Sequence, residues 1–511
     1  MSQRHGVPVR GLMSVNNSSE FEGKFGRLIH VKDKDKAKFG ATDAANVANL
    51  TTLGTEMSAG FDAPFDGPDP EESGIPALYT YFSQFIDHDL TFDPASSLQM
   101  QNDPDALVDF RSPAFDLDNV YGRGPDDEPF LYNGDNTFLL GDPIFGGTDP
   151  AARDLPRNNA SPRRALIGDP RNDENSLVSQ LQGLFLRFHN RMVAENPTTP
   201  FEELQKLVRF HYQYVILNDF LPRIIRADIY NSYKSKGRFA KNKLKFFHPK
   251  KFPFMPVEFS AAAYRLGHSM VRPGYRLNDA VLVPIFPVPP TTAPGFSQGL
   301  TGFRSLISNW ALDWGRFIDI DIRPYGSASK TDPHNKTRLQ FAYRLDTSLV
   351  NPLSTLPAAV ASNPASLAQR NLLRGWRLGL PNGQFVARAL GFTPLPDSKI
   401  LIGKGVDKPD PGEKPKPITS INPIFKENCP LWTYVLAEAL HNQANVSIPV
   451  TGGKTITTPQ LAEVGGTLVM ETFLGLMFAD KFSLLTLQPD WQPPGNPNFA
   501  LKDFVKFALG M

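Results

Sequence analysis

Cysteine is almost absent. Cys429 is the only one in 511 residues, which excludes an intrachain disulfide and any all-cysteine zinc or iron–sulfur site. A metal in this chain has to be held by histidine, carboxylate or carbonyl oxygen. Net charge is nearly absent too: Lys and Arg total 53 and Asp and Glu 52, so a net charge of +1 supplies no general field, and nucleic acid is not an expected partner. No run approaches the roughly 18 apolar residues of a membrane span. The opening MSQRHGVPVRGLM lacks the charged-then-apolar pattern of a secretory signal. The expectation is a soluble chain with no transmembrane segment, cytoplasmic or exported without a leader. Internal repeats and low-complexity tracts are lacking as well.

Strand-like alternation is also scarce, whereas helical periodicity recurs at 75–90, 174–195, 201–226, 257–271, 364–376, 430–442 and 459–478. The fold class is therefore expected to be mainly α with very little β. Prolines gather at 283–295 and 404–418, where the missing N–H and fixed φ disfavour helix, so these stretches read as long loops. Neither separates regions of different composition. One large domain over 51–511, preceded by an N-terminal arm over 1–50, is the simplest organisation.

The stretch YFSQFIDHDLTFDP, residues 81–94, sets Gln84, Asp87, His88 and Asp89 among Phe82, Phe85, Ile86 and Leu90. On a helix Tyr81, Gln84 and His88 share a stripe with Asp87 beside it, while Asp89 is rotated about 100° from His88 toward something else. The segment RSPAFDLDNVYG, 111–122, offers Ser112, Asp116 and Asp118 at alternating positions with the Ala114 carbonyl between them. Calcium takes its six to eight oxygens from such mixtures of carboxylate, hydroxyl and carbonyl, although a D-x-D in a loop is also ordinary turn chemistry.

GDPRNDENSL, 168–177, holds Arg171 and Glu174 where a helix begins, with Asn172 or Asp173 suited to cap the first turn. EFSAAAYRLGHSMVRP, 258–273, sets His268 after Ala261, Ala262 and Ala263, with Arg265 three positions before it. The small residues permit close approach by a large flat group, or by a second helix. NLLRGWRLGLP, 371–381, puts Asn371 and Arg374 one turn apart. His189 and His211 read as structural.

Taken in order and spacing over about residues 70 to 480, these five stretches resemble the animal-type haem peroxidases of the peroxidase–cyclooxygenase superfamily, and most closely their bacterial members. The matching motifs are Gln84 with Asp87 to Asp89, the oxygen-rich loop running into Val120 to Gly122, Arg171 with Glu174, Arg265 with His268, and Asn371 with Arg374 followed by Gly379 to Pro381. PLWTYVLAEAL and MFAD near the end are similar too. The resemblance implies a large single-domain helical fold around one haem b. It makes His268 the proximal iron ligand with Asn371 as its hydrogen-bond partner, and His88 the distal base. Arg171 would stabilise charge as the O–O bond of hydrogen peroxide breaks, and Gln84 would position water or a small anion. Arg265 and Arg374 would lie near the haem propionates. Asp89, Ser112, Ala114, Asp116 and Asp118 would bind calcium. Asp87 and Glu174 stand where mammalian members form ester bonds to haem; Asn175, in place of methionine, excludes a sulfonium link.

The activity this implies is peroxide reduction coupled to oxidation of halide, thiocyanate or aromatic one-electron donors. Two alternatives belong beside it. A fatty-acid dioxygenase of the same superfamily uses a tyrosine three residues before the proximal histidine, a place held here by Arg265, with Tyr264 one residue off. A non-catalytic haem-binding protein would be expected to lose His88 or Arg171, and both are present.

Overall fold

The computed structural model describes residues 25–61, 65–91, 112–249, 253–287, 299–358, 360–361, 363–406 and 414–511. The first 24 residues of the arm and much of both proline-rich stretches, 288–298 and 407–413, lie outside the described residues. Helix dominates, at 41% against 12% strand, as the periodicity leads one to expect. The longer helices are α1 (Asp43–Glu56), α2 (Leu78–Leu90), α3 (Ser176–Glu195), α4 (Phe201–Val215), α5 (Leu367–Arg377), α6 (Gly383–Ala389), α7 (Leu431–Leu440), α8 (Glu463–Ala479) and α9 (Leu501–Leu509). The described sheets are two-stranded, among them Gln443–Ile448 against Lys454–Pro459. Phe25, Leu28, Ile29 and Phe39, from the described part of the first fifty residues, are buried in the main core.

Three segments depart from their sequence expectation. The helix after Arg171 starts later, at Ser176, because Asn175 caps it by accepting from the Leu177 and Val178 amides. Pro170–Asp173 instead forms a 3₁₀ turn of its own, capped by Asp169. The run expected over 201–226 widens into a π turn at Ile216–Phe220, next to Pro222, whose missing N–H cannot serve the α ladder. The run expected over 257–271 is not one helix. Val257–Ser260 stops at a break near Ala262 (φ −138°, ψ −76°), and Ala263–His268 continues as 3₁₀. In a 3₁₀ turn residues three apart eclipse, so Arg265 and His268 still share a side.

Helix α8 is mostly apolar and is buried along the whole of Val464–Met477, as befits a central helix. Its first turn lacks a cap of its own. Glu438 of α7 supplies one, accepting from the Val464 amide at 2.9 Å and the Gly465 amide at 3.1 Å. Burial pushes this carboxyl up to about 8, outweighing those bonds. A carboxyl raised above its unfolded value binds its proton more tightly when folded, so its contribution to stability falls as pH rises from about 4.3 toward 8. Glu438→Gln keeps an acceptor without the charge. The melting temperature of this variant relative to the parent is therefore expected to climb across that window, and a flat difference would contradict the assignment.

Two further features fix the candidate site. Glu72, in the strand Glu72–Pro76 that leads into α2, is fully buried between Arg272 and Arg338, with bonds of 2.6 Å to both. This ties the start of α2 to the chain just beyond His268. Helix α5 ends at Gly379, whose φ of +62° suits glycine, with the Gly379 amide returning to the Trp376 carbonyl. The G-L-P motif thus stops the helix that carries Asn371 and Arg374.

Candidate active site: an internal cleft between two imidazoles

Along α2, eleven of thirteen residues are buried, and the two that are not are Gln84 and Asp87. The same pattern recurs on the neighbouring segments. Arg171, Glu174 and Asn175 are half-buried next to buried Asn172, Asp173 and Ser176, and Arg265, Gly267 and His268 among buried Ala263, Tyr264, Leu266 and Ser269. Arg374 on α5 follows suit. These residues border one cleft. At Gly267 an added Cβ would lie 3.9 Å from Ser83 Oγ on α2, so the two segments approach one another there without a clash.

His88 is 5% exposed, and its Nδ1 lies 2.7 Å from Asn172 Oδ1. An amide oxygen accepts, so this contact places the proton on Nδ1 and makes Nε2 the unprotonated nitrogen, 3.7 Å from a Glu174 oxygen. Asn172 is held in turn by donating to Gln182 Oε1 at 2.8 Å. Gln84 donates to Glu174 and accepts from Asn175 at 3.2 Å. Arg171 turns its guanidinium to Asp169 at 2.9 Å, to the His88 carbonyl at 3.0 Å and to the Thr91 carbonyl, so it clamps the end of α2 behind His88.

On the other element, His268 Nδ1 lies 2.7 Å from the Asn371 side-chain amide. As placed, Asn371 Nδ2 faces His268 Nδ1 and donates to it; with the amide turned over, its oxygen would accept from Nδ1 and leave Nε2 for a metal. Burial, helped by the Arg265 charge, pushes this imidazole down to about 3, so it is neutral, the form a metal requires. Burial raises Asp87, opposed by Arg265, Arg171 and Arg374, and raises Glu174 to about 7. Arg265 Nε has no hydrogen-bond partner among the described residues. A cleft with a neutral, oriented imidazole and an unsatisfied guanidinium nitrogen fits a flat cofactor carrying acidic groups.

Asp89 points away from the cleft and is fully buried. Its ligand atoms and those of Asp116 and Asp118 lie within 4.8 Å of one another. Burial alternates along 112–118, leaving Ser112, Ala114, Asp116 and Asp118 half-buried on one side. Ser112 donates to Asp116 at 2.7 Å, and burial together with the Asp118 charge pushes Asp116 up to about 7. Three carboxylates packed this closely form a donor set suited to a hard divalent cation.

A model of the family described as animal haem peroxidase matches residues 101–287. Over 356 residues the chain is 25% identical to a dual oxidase of Drosophila melanogaster, covering 66% of this chain and 19% of that protein. Over 226 residues it is 28% identical to human thyroid peroxidase, covering 42% and 21%. Residues 101–287 carry an animal haem peroxidase family domain. The chain spans only those shares of the curated relatives it matches. Among solved structures, peroxidase A of Dictyostelium discoideum superposes with a TM-score of 0.57 at 15% identity over 91% of this chain and 88% of its own. A fatty acid alpha-dioxygenase of Oryza sativa gives 0.51 at 14% over 90% and 76%. Both likenesses carry the same fold over nearly the whole chain, and the animal haem peroxidase match over 101–287 implies haem binding.

Within this family fold, the residues singled out from sequence fall into two groups, one at the cleft and one at the oxygen-rich loop. Sequence reasoning assigned Asn172 only as a helix cap, although R-N-D-E keeps it beside Arg171; here it orients His88. Tyr264 is 5% exposed and packed against Phe259 and Phe473, with ring centroids 4.6 and 5.3 Å away. His189 is bonded to Tyr121 and the Asn136 carbonyl, and His211 to the Leu207 carbonyl; burial lowers both to about 4.

Proposed function

We propose that this chain reduces hydrogen peroxide at a haem b held in the cleft and oxidises small anions, halide or thiocyanate, or aromatic one-electron donors. The observation that carries this reading is the pair of imidazoles, each fixed by an asparagine, that border one cleft. When bound, haem supplies the redox-active iron. His268 would hold it, with Asn371 fixing the ring; an amide accepts more weakly than a carboxylate and would leave the imidazole a moderate donor. His88 Nε2 takes the proton from the peroxide oxygen that will stay and returns it to the oxygen that leaves. Arg171 contributes positive charge and holds the end of α2, so that His88 keeps its place. Gln84 orients water or a small anion. Arg265 and Arg374 answer the propionates.

Asp87 and Glu174 are the carboxyls that would form ester links to a bound haem: carboxylic acid, haem methyl and one hydrogen peroxide would yield an ester and two waters. Haem that resists acid extraction after peroxide exposure, and not before, is the expected sign. Haem fully extracted after exposure would remove the ester proposal.

Calcium is proposed at Asp89, Ser112, Ala114, Asp116 and Asp118, where it pins the helix carrying His88. Removing it with a chelator is expected to lower thermal stability, by about 2.7 kcal/mol for an ion present at a hundred times its dissociation constant. Re-adding calcium, but not magnesium, restores it. An unchanged melting curve would argue against the ion.

The fatty-acid dioxygenase reading shares the fold, but Tyr264 is enclosed by aromatic rings and Arg265 stands at the position that reading needs. The test is haem-loaded protein given peroxide with a one-electron donor and a halide and thiocyanate panel, beside a fatty acid followed with an oxygen electrode. Donor oxidation without oxygen uptake is expected. Oxygen uptake with fatty acid and no donor oxidation would replace the proposal with the dioxygenase.

A further inference from the structure

The net charge of +1 averages over an uneven chain. Residues 229–257 contain eight Lys or Arg and no Asp or Glu. In the described part of this stretch a two-stranded hairpin, Lys234–Ser235 against Arg238–Phe239, turns at Lys236 and Gly237, both with positive φ. Positive φ at both central residues is the geometry of a two-residue hairpin turn matched to the twist of its strands. The chain then makes a 3₁₀ turn at Lys241–Lys243 and runs to Lys245. Lys236, Lys241, Lys243 and Lys245 are exposed, and no acidic side chain among the described residues pairs with them.

The segment is also firmly mounted. Buried Glu471 in the middle of α8 accepts from the amides of Lys245, Phe246 and Phe247 at 2.9 to 3.0 Å and from the Tyr233 hydroxyl at 3.1 Å. A buried carboxylate spent on anchoring a loop of lysines makes a platform. Lys234 is folded back over Tyr230 and Phe239. Arg238 reaches Asp490 at 2.8 Å, joining the hairpin to the segment that follows α8. That segment exposes two large apolar side chains, Phe482 at 58% and Leu487 at 44%, with exposed Lys481 beside them.

We propose that the lysine platform of Lys236, Lys241, Lys243 and Lys245, with Phe482 and Leu487 on the adjoining segment, seats the protein on an anionic lipid surface. Clustered lysines near a surface are attracted by anionic headgroups, and apolar side chains enter the headgroup boundary. The pairing of exposed Phe482 with exposed aliphatic Leu487 favours lipid over nucleic acid, which offers phosphates but no apolar phase for an aliphatic side chain, and Phe239 lies under Lys234. No described helix is long and apolar enough to cross a membrane, so the contact is peripheral.

The test is co-sedimentation of the full chain with vesicles of phosphatidylcholine alone or mixed with phosphatidylglycerol, beside duplex DNA. Binding to the mixed vesicles only, weakening with salt, is expected. Combining Lys236→Gln, Lys241→Gln and Lys243→Gln is expected to lower the partition coefficient on the order of a hundredfold, with far-UV circular dichroism unchanged. Phe482→Ser with Leu487→Ser is expected to lower it further at salt concentrations that screen the lysines. Equal binding by the lysine variant, equal binding to phosphatidylcholine alone, or tight DNA binding indifferent to Phe482 and Leu487 would each overturn the proposal.

Discussion

Replacing His88 by alanine is expected to lower the rate of peroxide consumption by about two to four orders of magnitude while leaving haem bound through His268. The range is what a positioned acid–base group contributes, and the cleft offers at most a partial replacement. Gln84 has no proton to exchange at neutral pH, and Arg171 is engaged with Asp169 and the His88 and Thr91 carbonyls. Glu174, pushed up to about 7 and 3.7 Å from His88 Nε2, is the one group able to carry part of the load, which places the loss toward the lower end above neutrality. Asn172→Leu leaves the imidazole but removes the acceptor at Nδ1, freeing the ring to adopt the wrong tautomer. Its loss is expected to be smaller than that of the alanine variant and to change with pH in a way the parent does not. Single-turnover mixing with peroxide measures both. A His88→Ala protein that consumes peroxide at the parental rate would remove the histidine from the mechanism.

Glu72→Ala is expected to cost about 3–5 kcal/mol of folding stability. The carboxylate sits at 0% side-chain exposure between two guanidiniums that are themselves buried, and truncating it strands both charges without solvent. Burial opposes ionisation of Glu72, yet Arg338 and Arg272 hold it below the usual carboxylate range. Its contribution is therefore present above the ordinary glutamate value, about 4.3, and is lost as pH falls through the lower folded value. Because Arg272 follows His268 by four residues and Glu72 precedes α2, the same substitution should loosen both walls of the cleft. Denaturant unfolding of parent and variant at neutral and acid pH checks it. A difference under about 1 kcal/mol, the scale of an exposed pair, would mean that the network is not the brace described.

What sequence could reveal followed from spacing. Gln84 and Asp87 interrupt an apolar run at helical intervals, and they are the residues α2 leaves half-buried. Asp116 and Asp118, alternating in a loop, arrive beside Asp89 because the residue after His88 leaves the helix on another face. Gly379 and Pro381 announce the end of α5. The break at Ala262 was hidden, since an i,i+3 pair has the same appearance in an α-helix and a 3₁₀ turn. The π turn at Ile216–Phe220 left no mark on the pattern of apolar residues, although Pro222 pointed to trouble nearby. Long-range partners were hidden for a different reason. Asn172 finds His88 across 84 residues, and Glu72 finds Arg272 and Arg338 across 200 and 266. No local periodicity encodes such encounters; only packing of the helices creates them.

The most direct measurement of the central claim is haem titration of the parent chain and of His268→Ala, followed by absorption and electron paramagnetic resonance of the ferric form. The account predicts one haem per parent chain with a nitrogen axial ligand, a lost or altered ligand signature in the variant, and its recovery when free imidazole is added. A variant that binds haem with the parental spectrum, or a parent that binds none, would contradict it.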